Sequence, residues 1–209
     1  MTCPLCGSQA RPFDIARKRR YYQCNSCQSI LLDPDDYVSA ADEKERYEKH
    51  NNDVNDPRYQ QFVSPIAEQI IRHHTQEEQG LDFGSGTGPV ITKLLRDKGY
   101  QINTYDPFFD NDPTVLESTY HYIACCEVAE HFHYPWEEFR RLRNLLKPGG
   151  KLYCMTEIFQ AGLPFQSWNY KDDETHVIFY HKKALEWIAR RLSFSAITIH
   201  DAHLITFAA

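Results

Sequence analysis

The stretch LDFGSGTGP, residues 81–89, decides the fold of this 209-residue chain. It places three glycines, at positions 84, 86 and 88, between a short apolar run and a helical pattern that begins at Val90. Glycine adopts backbone angles that other residues avoid, and without a Cβ it lets the chain approach a ligand closely. In open α/β sheets, ligands lie at such strand-to-helix turns. The stretch therefore predicts a binding loop at the carboxyl end of a strand.

An acidic residue lies in register with this loop. Asp106 ends the next predicted strand, 22 residues after Gly84, where a carboxylate accepts hydrogen bonds from both hydroxyls of a ribose. The dinucleotide pattern G-x-G-x-x-G is not met, because Pro89 stands at the third glycine position, and no Gly-Lys-Ser/Thr follows the loop. The sequence thus predicts a nucleoside site of another kind. The alternative is a tight turn beside a surface aspartate.

The remaining sequence alternates between strand and helix patterns joined by short turns. Such alternation forms a parallel sheet with helices on both faces, so the predicted fold class is α/β with a Rossmann-like sheet. Ser39 is predicted to cap a helix that runs through His50, and Pro57 to begin a second helix. The later strands are predicted at 80–83, 100–105, 120–126, 151–156, 196–200 and 203–207, and the later helices at 90–98, 135–146 and 182–192.

Three motifs resemble those of one enzyme family. The order D-x-G-x-G-x-G over residues 82–88 is similar to the first motif of class I S-adenosylmethionine-dependent methyltransferases. ACCEVAEHF at 124–132 resembles their fourth-strand motif, and LLKPGG at 145–150 resembles the turn before their fifth strand. The stretch at 168–180 resembles a substrate-side segment of the small-molecule subgroup. The resemblance covers residues 58–209 and implies in-line transfer of a methyl group to an O, N or C nucleophile of a small molecule.

The resemblance also implies S-adenosylmethionine as the cofactor and a set of residues that bind it. The stretch between Asp106 and Tyr120 is short, so the third helix and strand of the family are expected to be abbreviated. Only Glu117 stands near the position of the acid that contacts adenine, and Phe108 or Phe109 is expected to stack on the adenine instead. The implied cofactor-binding residues are Asp82, Phe83, Gly84, Ser85, Gly86, Gly88, Asp106, Pro107, Phe108 and Glu127.

The candidate catalytic residues are His131, Glu130 and His176. His131 follows the fourth strand, where the methyl group would lie, and an imidazole pKa of about 6.5 suits a general base. The alternative is a hydrogen-bonded structural histidine. Asp173 is a further base candidate. Glu127, Glu130 and His131 also form an E-x-x-E-H cluster. It is similar to a cluster that is linked to metal dependence in ubiquinone-pathway O-methyltransferases. The alternative interpretation is that Glu127 lines the cofactor pocket and Glu130 is an exposed acid at a helix start.

Two C-x-x-C pairs near the N-terminus, Cys3/Cys6 and Cys24/Cys27, are separated by 17 residues. Each pair brings two thiolates to one side of a tight turn, and together they predict a structural Zn²⁺ in a zinc ribbon. A redox dithiol or a disulfide pair is the alternative. Such a short module has little core, so metal binding is expected to supply about 10 kcal/mol of folding free energy. The predicted domains are a zinc ribbon at 1–36, a helical linker or lid at 37–76 and the S-adenosylmethionine-binding methyltransferase domain at 77–209.

Charge is unevenly distributed along the chain, whose formal net charge is -6. Residues 1–34 hold five basic and two acidic side chains, whereas the remainder holds 18 basic and 27 acidic ones. Only the N-terminal module therefore attracts phosphates. Its run RKRRYY at 17–22, predicted on a strand, is either a nucleic-acid patch or a solvated strand.

Several classes of protein are excluded by composition. No apolar run reaches the roughly 18 residues that span a bilayer. Residues 1–4 lead into a cysteine motif and not into a signal peptide, so a cytoplasmic protein is expected. The leading hypothesis is a small-molecule methyltransferase. The alternatives are an rRNA or tRNA methyltransferase that grips RNA through the zinc ribbon, and a non-catalytic binding module. A zinc ribbon joined to such a domain resembles both the ribosomal-RNA guanine methyltransferases and the C-methyltransferases of deoxysugar biosynthesis.

Overall fold

The computed structural model describes residues 1–49 and 52–209. The strands in these ranges are β1 (Ala10–Ala16), β2 (Arg19–Cys24), β3 (Ile30–Leu32), β4 (Gln79–Phe83), β5 (Gln101–Tyr105), β6 (Tyr120–Cys126), β7 (Leu146–Met155), β8 (Ile178–Phe179), β9 (Ala196–Ile199) and β10 (Leu204–Ala208). The α-helices are α1 (Ala40–Glu48), α2 (Pro57–His73), α3 (Val90–Arg96), α4 (Pro135–Asn144) and α5 (Lys182–Arg191).

Six strands form the central sheet, in the order β5-β4-β6-β7-β10-β9. The first four are parallel, and β10 runs antiparallel between β7 and β9. Alternate residues of β6 face opposite layers: Tyr122 and Ala124 pack with α2 and α3, whereas Ile123 and Cys125 pack with α4 and α5. Because both faces are covered, residues 122–125 of β6 and 152–155 of β7 are apolar and buried. The predicted α/β fold class with a Rossmann-like sheet is confirmed.

The connection between β5 and β6 is short, as expected. It holds a single 3₁₀ turn, Pro113–Glu117, where a further strand and helix were expected to be abbreviated. The predicted strands and helices of this region agree with the structure within a few residues, with one difference. The predicted helix through Leu146 ends at Asn144, and β7 begins at Leu146 and carries an irregularity before Lys151, which pairs with Tyr122.

The N-terminal residues form a second sheet with the strand order β1-β2-β3-β8. Gly7 has the positive φ expected of a cysteine turn, 74°. The prediction of one strand over residues 17–22 is wrong in part. Arg17 and Lys18 form a two-residue hairpin turn with positive φ, and only the residues from Arg19 onward lie on β2. A two-residue turn of this hand matches the twist of the strands that it joins.

The second sheet is completed by a strand from the other end of the chain. In β8, Phe179 pairs with Ile30 and Ile178 with Leu31. Cys3 and Leu5 belong to the same hydrophobic cluster as Phe179. The N-terminal module thus shares a sheet and a core with the larger part of the chain.

Two helices, α1 and α2, lie between β3 and β4 in the chain. The Ser39 hydroxyl accepts a hydrogen bond from the amide of Asp42, which confirms the predicted cap of α1. This helix extends to Glu48, and the predicted end at His50 lies outside the described residues. The helix α2 begins at Pro57, as predicted. In the described ranges, no helix has both the length and the apolar character that a bilayer span requires.

We predict that Lys18→Gly stabilises the chain relative to Lys18→Ala. The φ of Lys18 is 67°, and a residue with a Cβ at such an angle destabilises the folded state by about 1–2 kcal/mol. Glycine avoids this strain, but its greater conformational entropy in the unfolded state offsets part of the gain. We expect Lys18→Gly to be more stable by about 0.5–1 kcal/mol, or roughly 1–4 °C in Tm, in thermal denaturation. Both variants remove the same charge, so equal Tm values would show that the turn carries no strain.

Candidate functional site

A cavity of about 520 Å³ opens at the carboxyl ends of β4, β5 and β6. The glycine loop forms one side of it, and the helices α1 and α2 cover the other. It is lined by Glu43, Tyr47, Asn52, Tyr59, Phe62, Phe83, Gly84, Ser85, Gly86, Thr87, Tyr105, Asp106, Pro107, Phe108, Phe109, Cys126, Glu127, Val128, His131, Phe132, His133, Tyr134, Glu138, Arg141 and His176.

The glycine loop needs glycine at its first position for two reasons. Gly84 has a φ of 79°, and a Cβ there would lie 2.4 Å from Val128 Cγ2. The amide of Gly84 donates to the carbonyl of Tyr105 at 2.8 Å, which ties the loop to β5. The loop therefore lies directly against the residues that follow β6.

Asp106 joins the glycine loop to the loop that follows β5. Its Oδ2 accepts from the amide of Gly86 at 3.0 Å, and its Oδ1 accepts from the amides of Phe108 and Phe109 at 2.8 and 3.1 Å. The carboxylate is mostly buried and lines the cavity. Its position agrees with the carboxylate that the sequence predicted beside the loop.

Eight of the ten predicted cofactor-binding residues line the cavity; Asp82 and Gly88 do not. Asp82 lies behind the loop, where its carboxylate accepts from the Thr92 hydroxyl at 2.7 Å, and burial raises its pKa to about 6. Gly88 faces Asn52, whose carbonyl oxygen would lie 1.7 Å from a Cβ at position 88. Both residues support the shape of the loop from outside the cavity.

The aromatic side chains beside the loop also line the cavity. The ring centroids of Phe108 and Phe109 are 6.2 Å apart, and the ring of Tyr47 lies 5.8 Å from that of Phe108. Glu117 is not among the lining residues. The predicted stacking of a phenylalanine on adenine stays a prediction.

The structure brings all three predicted catalytic residues together. Glu130 and His131 lie in the 3₁₀ turn after β6, and His176 comes from the loop before β8, yet their ligating atoms all lie within 4.8 Å of one another. His131 Nδ1 is 3.0 Å from the carbonyl of Thr175, and His176 Nδ1 is 2.7 Å from the carbonyl of Tyr170. Each Nε2 lies 3.9 Å from Glu130 Oε1. Both rings line the cavity.

Two neighbouring carboxylates lie at the base of this cluster. Glu130 is 0% exposed, so its interpretation as an exposed acid at a helix start is wrong. The Tyr170 hydroxyl lies 2.6 Å from Glu130 Oε1 and 3.2 Å from Glu127 Oε2. Burial, with the Glu130 charge added, raises the pKa of Glu127 to about 9. Glu127 also has a φ of 52°, an unfavourable angle for a residue with a side chain.

The Asp173 carboxylate is held in place by neighbouring hydrogen-bond donors. Its carboxylate accepts from Arg46 at 2.8 Å and from the Thr175 hydroxyl at 2.7 Å. These donors hold the pKa of Asp173 well below its usual range, so it is a poor proton acceptor. The ion pair also fastens α1, which carries Tyr47, to the loop that carries His176.

Some site residues were missed by the sequence reasoning. Glu43 and Tyr47 come from α1, and the Tyr47 ring packs edge-on against His131 with centroids 5.2 Å apart. Tyr170 belongs to the segment that resembles a substrate-side stretch, which was a signal for its place near the site. Phe62 and Tyr134 line the cavity although both are exposed.

The four N-terminal cysteines form a separate cluster. Cys3 Sγ lies 3.7 Å from Cys27 Sγ, and Cys6 Sγ lies 3.4 Å from Cys24 Sγ. All four sulfurs are within 4.8 Å of one another. Four thiolates at about 2.3 Å from a tetrahedral Zn²⁺ stand roughly 3.8 Å apart, so the arrangement fits this ion.

The basic run beside these cysteines is engaged within the chain. Arg17 forms a bidentate pair with Asp172 at 2.8 Å, and Arg20 pairs with Asp33, Asp35 and Asp36. Arg19 donates to backbone carbonyls of residues 171–173. Three of the four cations in the predicted nucleic-acid patch are thus bound to other groups of the same chain.

Comparisons with known proteins agree with this geometry. The family model of a methyltransferase domain matches residues 30–199. The fold is similar to that of 1,6-didemethyltoxoflavin-N1-methyltransferase from Burkholderia thailandensis, solved with 1,6-didemethyltoxoflavin and S-adenosylhomocysteine; the TM-score is 0.54 at 15% identity, over 96% of this chain and 98% of that one. Among curated proteins, none matches the chain.

Two further solved structures share the fold. A SAM-dependent methyltransferase from Archaeoglobus fulgidus has a TM-score of 0.53 at 17% identity, over 66% of this chain and 71% of that one. The [4+2]-cyclase SpnF has a TM-score of 0.52 at 17% identity, over 68% of this chain and 58% of that one. A shared fold of this kind does not fix the reaction, which depends on the site.

We predict that Asp82→Asn gains stability relative to the wild type as the pH rises. The folded carboxyl keeps its proton up to about pH 6, whereas the unfolded one releases it near 3.8, so the wild type is destabilised across this window. Between pH 4 and 7, the unfolding free energy of the variant should rise relative to that of the wild type by roughly 2 kcal/mol, as measured by urea denaturation.

Asp112→Asn is the matched control for this measurement. The pKa of Asp112 is lowered by hydrogen bonds from Thr114, so this variant should lose stability relative to the wild type as the pH rises. A pH-independent difference for Asp82→Asn would contradict the raised pKa.

Proposed function

We infer the function from the premise that this chain belongs to the methyltransferase domain family. One solved structure with the same fold, the 1,6-didemethyltoxoflavin-N1-methyltransferase described above, holds S-adenosylhomocysteine. The chain is a SAM-dependent methyltransferase, and we propose that its methyl acceptor is a small molecule. One observation supports the proposal: the glycine loop and the Glu130–His131–His176 cluster meet at a single cavity that α1 and α2 cover.

We place the cofactor on the glycine loop. Asp106 lies where its carboxylate meets the ribose, beside the loop amides that it already binds. Phe108 and Phe109 offer aromatic surface for the adenine. The methionine part then extends toward Gly84 and Glu127. In this pose the methyl group points away from the loop, toward the histidines.

The reaction is a displacement at the methyl carbon. The acceptor supplies an electron pair to that carbon, the bond between carbon and sulfur breaks, and its electrons remain on sulfur. Because the sulfonium is a strong electrophile, most of the catalysis comes from holding the two reactants in line. In this pose the proposed catalytic residues His131 and His176, which line the cavity, lie beside the nucleophilic atom of the acceptor. Glu130, the third proposed catalytic residue, is buried next to both histidines.

The size and charge of the site support a small acceptor. Tyr47, Phe62 and Tyr134 surround the cavity, and α1 is held over it by the pair of Arg46 with Asp173. An RNA substrate would need free cations for its phosphates. The basic run instead binds aspartates and carbonyls of this chain.

We propose that the four N-terminal cysteines bind a structural Zn²⁺. Their spacing fits a tetrahedral site, and the module that they would hold together contacts the acceptor side of the cavity. Arg19 donates to carbonyls of the loop that carries His176, and the Leu32 amide donates to the carbonyl of Val177 at 2.9 Å. The metal would therefore stabilise one wall of the active site.

We predict that the chain binds S-adenosylmethionine and that Gly84→Ala weakens this binding at least tenfold. An added Cβ meets Val128, so the loop must move away from the position that fits the cofactor. Isothermal titration with S-adenosylmethionine, and with NADH as the control ligand, measures the effect. Wild-type binding should be micromolar for the first ligand and absent for the second.

Gly149→Ala is the matched control. Gly149 has a similar φ of 78°, but no atom lies within 4 Å of the point that a Cβ would occupy, and it does not line the cavity. Its affinity should equal that of the wild type. No binding by the wild type would overturn the cofactor assignment. The proposal of a small-molecule acceptor would be overturned by methyl transfer to RNA. In that case the chain should also bind RNA in a salt-dependent way, and this binding should be lost when the charges of Arg17, Lys18, Arg19 and Arg20 are neutralised.

We predict one zinc per chain after dialysis against EDTA, lost in Cys24→Ser. Metal analysis by mass spectrometry gives the stoichiometry, and loss of the ion should lower the unfolding free energy by several kcal/mol. Cys126→Ser is the control, because Cys126 lies on β6, away from the four-cysteine cluster. Equal zinc contents in the two variants would show that the ion, if bound, is held elsewhere.

A further inference from the structure

The cluster of Glu130, His131 and His176 has the geometry of a metal site. Both Nδ1 atoms face backbone carbonyls, which only accept hydrogen bonds, so each neutral ring carries its proton on Nδ1. The Nε2 atoms then hold free electron pairs, and each lies 3.9 Å from the same oxygen of Glu130. Metal-binding histidines are commonly fixed in this way, with the second nitrogen donating to a carbonyl.

Two buried carboxylate oxygens at or beside the cluster have no hydrogen-bond partner in residues 1–49 and 52–209. Glu130 Oε2 and Glu127 Oε1 are both buried and unpaired, although Tyr170 contacts the other oxygen of each carboxylate. Among the described residues, the ion pairs of Glu130 are with the two histidines only. A buried carboxylate without a compensating charge is costly, by several kcal/mol. A cation beside Glu130 would remove this cost.

We propose that Glu130, His131 and His176 bind one divalent transition-metal ion within the cavity. Two imidazole nitrogens and one carboxylate oxygen suit ions such as Zn²⁺, Co²⁺, Mn²⁺ or Fe²⁺ and leave coordination positions open. Those positions face the cavity, because both histidine rings line it. Glu127 lies next to this site, because the Tyr170 hydroxyl contacts both its carboxyl group and that of Glu130.

A metal ion at this position indicates which chemical class of acceptor the enzyme methylates. This inference rests on the proposed function. We propose that the acceptor carries a hydroxyl whose oxygen binds the ion at an open position. Coordination lowers the pKa of that hydroxyl, and its proton passes to water. The oxygen then gives an electron pair to the methyl carbon, and the electrons of the broken carbon–sulfur bond stay on sulfur. The products are a methyl ether and a neutral thioether. In this scheme His131 is a ligand and not the general base predicted from the sequence.

This site is chemically distinct from the four-cysteine cluster. Thiolates retain Zn²⁺ tightly, whereas a site with two histidines and one carboxylate exchanges its ion more readily. Dialysis against EDTA therefore separates the two sites, and the zinc-retaining chain is the starting material for the test.

We predict that this chain binds one further Mn²⁺ or Co²⁺ with micromolar affinity. Isothermal titration gives the stoichiometry, and the electron paramagnetic resonance signal of Mn²⁺ or the visible absorption of Co²⁺ reports nitrogen ligation. His176→Ala should weaken binding at least 100-fold. Glu130→Gln keeps the shape of the side chain while removing its charge, and it should also lose the ion if His176→Ala fails to fold.

His133→Ala is the matched control. His133 lines the same cavity but stacks on Tyr37, outside the cluster. It should bind the ion as the wild type does. Absence of binding at millimolar metal, or equal binding by His176→Ala, would overturn the inference. The affinity for S-adenosylmethionine, measured on the same samples, separates the two proposals. If the wild type binds the cofactor but no metal, only the metal site is overturned. If the wild type does not bind the cofactor, the proposed function is overturned.

Discussion

The close parallel pairing of β4 with β6 is the constraint on which the site depends. Gly80 lies opposite Tyr122, and a Cβ at position 80 would lie 1.9 Å from the tyrosine ring. At the end of the same pair, Gly84 lies against Val128. These contacts leave no room for other side chains, so the glycine loop and the turn that carries Glu130 reach the same sheet edge side by side. The glycine loop and His131 line one cavity for this reason.

The N-terminal module is part of the same architecture and not an appendage. Its last strand, β3, pairs with β8, and the loop before β8 carries His176. Arg17 and Arg19 bind that loop through Asp172 and through its carbonyls. The cationic run that suggested a contact with nucleic acid thus fixes the position of a histidine in the cavity. A small cysteine-rich module and an enzyme core are joined through one wall of the site.

Much of this arrangement was predictable from the sequence, because glycine spacing and strand-helix alternation are local signals. The sheet, the loop and the position of Asp106 agree with the predictions, and the three proposed catalytic residues are close together. The motif does not predict which of its residues face the cavity. Asp82, for example, lies behind the glycine loop, where it is hydrogen-bonded to Thr92. Tyr47 was missed because it reaches the site through packing of α1, a contact between distant parts of the chain. Burial of Glu130 was missed for the same reason.

The charges of the cavity favour a resident cation over compensation by the cofactor alone. Glu130 holds a buried carboxylate oxygen that has no hydrogen-bond partner in the part of the chain that the structure describes, and a positive sulfonium would balance its charge before transfer. After transfer the sulfur is neutral, so that balance disappears while the product is still bound. An ion held by His131, His176 and Glu130 would balance the Glu130 carboxylate both before and after transfer. The same ion would bind the attacking oxygen of the acceptor, so one group would both balance the charge of Glu130 and activate the acceptor hydroxyl.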